Sequence, residues 1–195
     1  MADSALNELQ VEVLRLFFSL PESEGFILAG GAGLVAVGLS TRPTEDLDLF
    51  TAVASISAAG DALEHAAADR GWHTERIQGS PTFRRIVIVA PEYRQVLVDL
   101  AQDAGPLSAA TVTAVGPAYP PEELAARKVL ALFDRAALRD FVDLATVSSR
   151  YGRERLVGLA ALIDEASTSS CSRRCSQRWT ASPTRRSGRS PIPLR

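Results

Sequence analysis

Residues 45–51 read Glu-Asp-Leu-Asp-Leu-Phe-Thr, an alternation that sets Asp46 and Asp48 on one side of an extended chain and Leu47 and Leu49 on the other. The pattern predicts a half-buried strand whose polar face carries two carboxylates about 6.5–7 Å apart at their Cα atoms. A pair placed this way can grip Mg2+, a hard ion that takes oxygen ligands and keeps waters for substrate phosphates. Two such ions about 3.5–4 Å apart activate an attacking hydroxyl and neutralise a leaving pyrophosphate. A third carboxylate on a neighbouring strand would complete the site. Asp99, within Gln95-Val-Leu-Val-Asp-Leu-Ala101, is the candidate, because an unpaired carboxylate among those apolar neighbours would be costly to bury. The plain alternative is a solvated edge strand, since short motifs often match by chance.

Fifteen residues upstream of Asp46 lies Gly30-Gly31, behind a short apolar run at 26–29 that fits a buried strand. The two glycines remove side chains where backbone N–H groups can approach an anion, at the start of a helix expected over Ala32–Leu39. A tight turn alone would also explain them. Thr44 stands two residues before Asp46, and its hydroxyl suits either a substrate phosphate or a turn after Pro43.

The remaining chain predicts an α/β (α+β) domain. Helices are expected over 3–20, capped by Asp3 or Ser4, and over 55–70. Strands are expected over 72–78, 82–89 and 94–101, with Pro81 and Pro91 marking turns. Residues 105–116 form a connection without a clear period. Three helices follow, over 122–134, 137–151 and 153–166. The expected organisation is one domain over 1–166, with a core at 25–105 and a helical part at 120–166. A Ser/Arg/Pro-rich tail over 167–195 is expected to be disordered.

Charge divides along the same line. The 195 residues carry 21 basic and 23 acidic side chains, yet 167–195 holds seven arginines and no acid, leaving −9 on the rest. An acidic core argues against a DNA-binding domain driven by overall charge. No apolar run reaches the roughly 18 residues of a membrane span, and the first residues lack a secretory pattern. Two cysteines make no disulfide framework and no complete zinc site. A reduced, cytoplasmic protein is the expectation.

Two blocks carry a resemblance. Phe26-Ile-Leu-Ala-Gly-Gly-Ala-Gly-Leu34 with Arg42-Pro-Thr-Glu-Asp-Leu-Asp-Leu-Phe50 is one. Arg127-Lys128-Val-Leu-Ala-Leu with Arg139-Asp140-Phe-Val-Asp143-Leu is the other. Together, over about residues 25–150, they resemble the nucleotidyltransferase core of the AbiEii/AbiGii toxins, including the MenT-type toxins of mycobacteria. The resemblance implies a DNA polymerase β-like nucleotidyltransferase fold. It also implies a toxin paired with a cognate antitoxin, transferring nucleotides from an NTP to the 3′ end of tRNA and so stopping translation.

Gly30 and Gly31 match the family's phosphate-side turn, Asp46 and Asp48 its metal pair, Lys128 its triphosphate-binding lysine, and Asp140 the acid of its RDxxD block. Lys128 is also the single lysine among the basic residues, a compact point charge suited to a triphosphate. On a helix, Asp140 and Asp143 share a face, as do Arg139 and Asp143. They form either an ion-pair cluster that orients Lys128 or a site where Asp140 is general base to the RNA hydroxyl. Ala32 departs from the family, which usually has serine or threonine after the double glycine.

Transfer to a small molecule or protein hydroxyl, or a non-catalytic member that only binds a partner, are the alternatives. His65 and His73 lack ligand-spaced partners and read as structural or surface residues. Trp72, Phe83, Tyr93 and Phe133 read as core. Alternation turns one of Arg84 and Arg85 inward, towards a nucleotide or within an exposed pair. The arginine-rich tail reads as a solvated end or a contact to the RNA backbone. Phosphorylation of Thr44 would place about two negative charges beside the carboxylates and block nucleotide binding. Thr44→Glu is therefore expected to lose nucleotidyl transfer in a labelled-NTP assay; full activity would exclude the idea.

Overall fold

The computed structural model describes residues 6–135 and 137–175. Helix α1 (Glu8–Phe18) leads to strand β1 (Phe26–Leu28), helix α2 (Gly30–Ala36), strand β2 (Asp46–Thr51) and helix α3 (Ile56–Asp69). Strands β3 (His73–Ser80), β4 (Phe83–Val89) and β5 (Gln95–Gln102) follow, then the short β6 (Thr111–Thr113) and β7 (Gly116–Ala118). Helices α4 (Pro121–Arg135), α5 (Leu138–Ser148) and α6 (Arg153–Cys175) complete the chain. The strands form one mixed sheet in the order β3-β4-β5-β2-β1-β7-β6. β2 runs parallel to β5 and antiparallel to β1, while β7 runs parallel to β1. This is the α/β class the sequence predicts.

Alternation along the strands divides the interior in two. On one face Phe26, Leu28, Leu47, Leu49, Ile86, Ile88, Val98 and Leu100 pack against α1 and α3. Phe17 of α1 meets Phe26 edge to face at 5.2 Å. On the other face Ile27 and Phe50 join Tyr119, Leu124, Ala125 and the helices α4 and α6. Each fully buried Leu or Ile contributes roughly 1.5–3 kcal/mol, so both faces of the central strands are strongly specified.

Several local expectations change. Helix α1 starts at Glu8, where Asn7 and Gln10 make a reciprocal capping box, each bond 2.9 Å. Asp3 and Ser4 lie outside the described residues. The second glycine-led helix begins at Gly30 itself rather than at Ala32. The connection over 105–116 contains β6 and the first residue of β7, each strand only three residues long and too short to show a period. Helix α6 continues past Ala166 to Cys175, because no proline or glycine interrupts the chain until Pro183. Residues 176–195 of the expected tail lie outside the described residues.

Of the four aromatics expected in the core, Trp72 is buried and Phe83 half-buried, but Tyr93 and Phe133 are exposed. Tyr93 sits at the tip of the β4–β5 turn, where it and Glu92 take left-handed backbone angles. Phe133 lies on the outer side of α4, beside an apolar groove that α4, α5 and α6 enclose. His65 and His73 are both exposed.

Gly60, in the middle of α3, answers a spatial demand. Arg84 points from β4 under α3, is 5% exposed, and bonds Asp61 at 2.7 Å. A Cβ at position 60 would lie 2.4 Å from the Arg84 Cδ. Gly60→Ala, which in an ordinary helix would stabilise, is expected to destabilise by about 1–3 kcal/mol through overpacking. A lower urea midpoint for Gly60→Ala than for wild type checks this.

Candidate active site

The polar face of β2 builds the site. Asp46 and Asp48 point to the same side, as their spacing predicts, and Leu47 and Leu49 fill the opposite core. The turn after β1 is fastened to this strand by the Ala29 N–H, which donates to the Asp48 carbonyl at 2.8 Å. Gly30 follows with φ +59, a left-handed conformation that favours glycine. A Cβ at Gly30 would lie 1.7 Å from Asp48 Oδ2, and one at Gly31 would lie 2.7 Å from Thr44 Oγ1. The double glycine therefore makes room for the Asp48 carboxylate and the Thr44 hydroxyl. That is a stricter demand than either the tight turn or the backbone approach to an anion read from the sequence.

Thr44 is buried, and its hydroxyl donates to Asp46 Oδ1 at 3.1 Å. Its own carbonyl accepts from the buried Gln10 Nε2 at 2.7 Å, so α1 holds the loop that leads into β2. From α5, Arg139 reaches Asp46 Oδ2 at 3.5 Å. The sequence places Arg139 on the face of Asp143; here its guanidinium reaches across to β2.

Lys128 projects from α4 with its side chain 8% exposed. Its Nζ lies 2.8 Å from Asp143 Oδ2 and 3.4 Å from Asp140 Oδ1. Asp140 is fully buried. That enclosure suits an ion-pair cluster orienting Lys128, and it keeps the carboxylate out of reach of an acceptor hydroxyl. Asp143 is gripped from a third direction by Arg42, whose Nε and Nη2 donate to the two Asp143 oxygens at 2.9 and 3.0 Å. Burial pushes the Asp143 carboxyl up, but the hydrogen bonds from Arg42 and Lys128 outweigh it and leave it below the usual carboxylate range. The same bond from Asp143 raises Arg42. Arg42 was legible in the sequence as the first residue of the block that ends at Phe50, with no role assigned; its partner lies 101 positions away.

Across the sheet, Asp48 pairs in register with Asp99 of β5, and Asp99 with Arg85 of β4. The three side chains share the face of Asp46. Of the arginine pair, Arg84 turns under α3 and Arg85 turns to the site. Its Nε and Nη2 donate to both Asp99 oxygens at 2.8 and 2.6 Å.

Two clefts meet at these groups. One, of about 230 Å3, is lined by Arg42, Thr44, Asp46, Asp48, Lys128 and Arg139 together with Gly31. The other, of about 820 Å3, also reaches Asp48 and Lys128 and extends over Phe50, Arg127, Leu130 and Phe133. For a divalent ion, Asp46 and Asp48 are an acceptable donor pair, since Mg2+ is commonly held by one or two carboxylates plus substrate phosphates. Among the described residues, no three acidic, histidine or cysteine side chains are arranged to hold a metal. No helix of the described residues is long and apolar enough to cross a membrane.

The architecture is that of a nucleotidyltransferase. The backbone is similar to JHP933 from Helicobacter pylori, with TM-score 0.55 and 15% identity over 91% of this chain and 100% of that one. It is also similar to MenT4, a nucleotidyltransferase toxin from Mycobacterium tuberculosis H37Rv, with TM-score 0.57 and 17% identity. That match covers 76% of this chain and 59% of MenT4. At these identities the likeness is one of fold. A search of curated proteins finds no match. The family is fixed by sequence: the model for the nucleotidyl transferase AbiEii toxin of type IV toxin–antitoxin systems matches residues 14–187. The chain belongs to that family, and is a nucleotidyltransferase of the toxin–antitoxin class with a cognate antitoxin implied.

Because the folded Asp143 carboxyl lies below its ordinary value, its contribution is complete above the normal carboxylate range. It is lost as pH falls below about 4 and through the folded value. Wild type is expected to lose thermal stability between about pH 5 and pH 2 more steeply than Asp143→Asn. At pH 7 the variant should be less stable by about 3–5 kcal/mol, with Arg42 and Lys128 left without their shared partner. Parallel pH slopes for the two proteins would contradict this.

Proposed function

We propose that the chain transfers a nucleoside monophosphate from an NTP to the 3′ hydroxyl of tRNA in the cytoplasm, with Mg2+, and so blocks translation. The observation that carries this reading is the meeting of two clefts at Asp48 and Lys128. A transferase needs donor and acceptor on either side of one reacting phosphorus. The smaller cleft falls below the roughly 300–1,000 Å3 of a whole small-molecule pocket, so it suits phosphates rather than an entire nucleotide. Its arginines, Lys128 and the Gly31 backbone supply positive charge and N–H groups for them. The larger cleft has the aromatic and aliphatic walls that a terminal nucleoside can lie against.

In the reaction the acceptor oxygen bonds to the α-phosphorus, the bond from that phosphorus to the bridging oxygen breaks, and pyrophosphate departs. The hydroxyl proton leaves to solvent or to a carboxylate on the β2 face. Asp46 and Asp48 are the residues that would hold Mg2+, which supplies charge to offset the phosphate oxygens when bound. Lys128 holds the triphosphate as a compact cation, and Asp140 and Asp143 position it. Thr44 orients Asp46 through its hydroxyl, and Gly30 and Gly31 leave the space in which Asp48 and Thr44 stand.

Incubation with labelled NTPs and total tRNA tests the reading. Asp48→Ala is expected to label tRNA at least about a hundredfold more slowly than wild type, the loss typical of a group that stabilises transition-state charge. Lys128→Arg keeps the charge but needs a planar fork in an enclosed lysine site, and should lose about tenfold or more. Equal labelling by wild type and Asp48→Ala would refute the assignment. Labelling of a small molecule or a protein in place of tRNA would move the acceptor. If Mg2+ and NTP together gave no thermal stabilisation, a partner-binding protein would be indicated instead.

A further inference from the structure

Arg85, Asp99 and Asp48 stand side by side on β4, β5 and β2, a row of one cation and two carboxylates on the site face. Strand order nominates Asp99 as a third metal ligand, yet both of its oxygens accept from the Arg85 guanidinium, at 2.8 and 2.6 Å. A planar fork of this kind matches a carboxylate better than any single point charge does. The Asp99 side chain is 8% exposed, so little of it is left for a second partner. A divalent ion, at about 2.0–2.1 Å from a carboxylate oxygen, would have to share those oxygens with the guanidinium on a side chain that is 8% exposed. The fork is also braced, since the Arg85 guanidinium lies 5.6 Å from the Phe83 ring.

Arg84 supplies the contrast. It is the same residue type on the same strand, but it is closed under α3 and paired with Asp61, away from the site. Arg85 keeps 39% of its side chain exposed, on the face of Asp46 and Asp48.

We propose that Arg85 takes the place of a second metal ion: it binds Asp99, and the centre holds one divalent ion on Asp46 and Asp48. This rests on the nucleotidyl-transfer reading and replaces the two-ion, three-carboxylate arrangement expected from sequence. Arg85 then contributes fixed positive charge on the face of Asp46 and Asp48, and Asp99 is the residue that positions it.

The test counts Mn2+ by electron paramagnetic resonance on the full chain, with a non-hydrolysable NTP analogue present below the protein concentration. Wild type is expected to hold one Mn2+ per bound analogue. Asp99→Asn should also hold one, with affinity within about threefold of wild type, where loss of a true ligand would cost about tenfold or more. Arg85→Ala, which frees Asp99, should gain a second Mn2+, and Arg85→Ala/Asp99→Asn should return to one. Two ions in wild type, a tenfold weakening by Asp99→Asn, or one ion in a folded Arg85→Ala each overturn the proposal. If Arg85→Ala does not fold, the wild-type count and the Asp99→Asn affinity still decide. Absence of analogue binding in every protein would instead remove the nucleotidyl-transfer reading itself.

Discussion

The Asp143 carboxylate joins the parts that make the site. Arg42 comes from the loop before β2, Lys128 from α4, and Asp143 from α5, and the Asp143 oxygens meet both cations at 2.8–3.0 Å. Nothing else described at the site connects all three segments through one group. The loop sets Thr44 and Asp46, α4 sets the cation, and α5 sets Arg139 against Asp46. Loss of this carboxylate would leave Arg42 without its bidentate partner and Lys128 with Asp140 alone. The geometry of the cleft therefore depends on a contact that touches no substrate.

Gln10 and the double glycine extend the same logic to the loop and the turn beside β2. Gln10 is a buried amide on an otherwise apolar helix face, and it is satisfied by capping Asn7 and by the Thr44 carbonyl. Buried polar groups of this sort are costly unless paired, so the contact fixes the seat of α1 against the loop. Gly30 and Gly31 act through absence, since the volumes their side chains would fill belong to Asp48 and Thr44. Together these residues fix the loop and the turn between which Thr44, Asp46 and Asp48 stand.

Local period made the elements around the site legible. Alternation over 45–51 located β2 and the facing of both aspartates, and helical spacing located α3, α4 and α5 to within a few residues. What stayed hidden was long range or very short. The Arg42–Asp143 and Lys128–Asp143 bonds join residues by folding, and no spacing rule couples positions 42 and 143. Alternation offered two possible facings for Arg84 and Arg85; the sheet register and Gly60 decide between them. Strands β6 and β7 are three residues each, so they rely on pairing and not on pattern. The continuation of α6 beyond Ala166 was masked by composition, which registers low apolarity but not the lack of a helix breaker.

A chain with one lysine, almost wholly enclosed, also has an unusual chemical surface. Apart from the chain's own α-amino group, Lys128 is the single primary amine, and the other Lys/Arg side chains are guanidinium groups, which acylating and reductive-alkylating reagents leave untouched at neutral pH. Amine chemistry on the side chains thus converges on Lys128, deep beside Asp140 and Asp143. Its accessibility to such reagents is a direct gauge of whether the cleft is open, closed or filled.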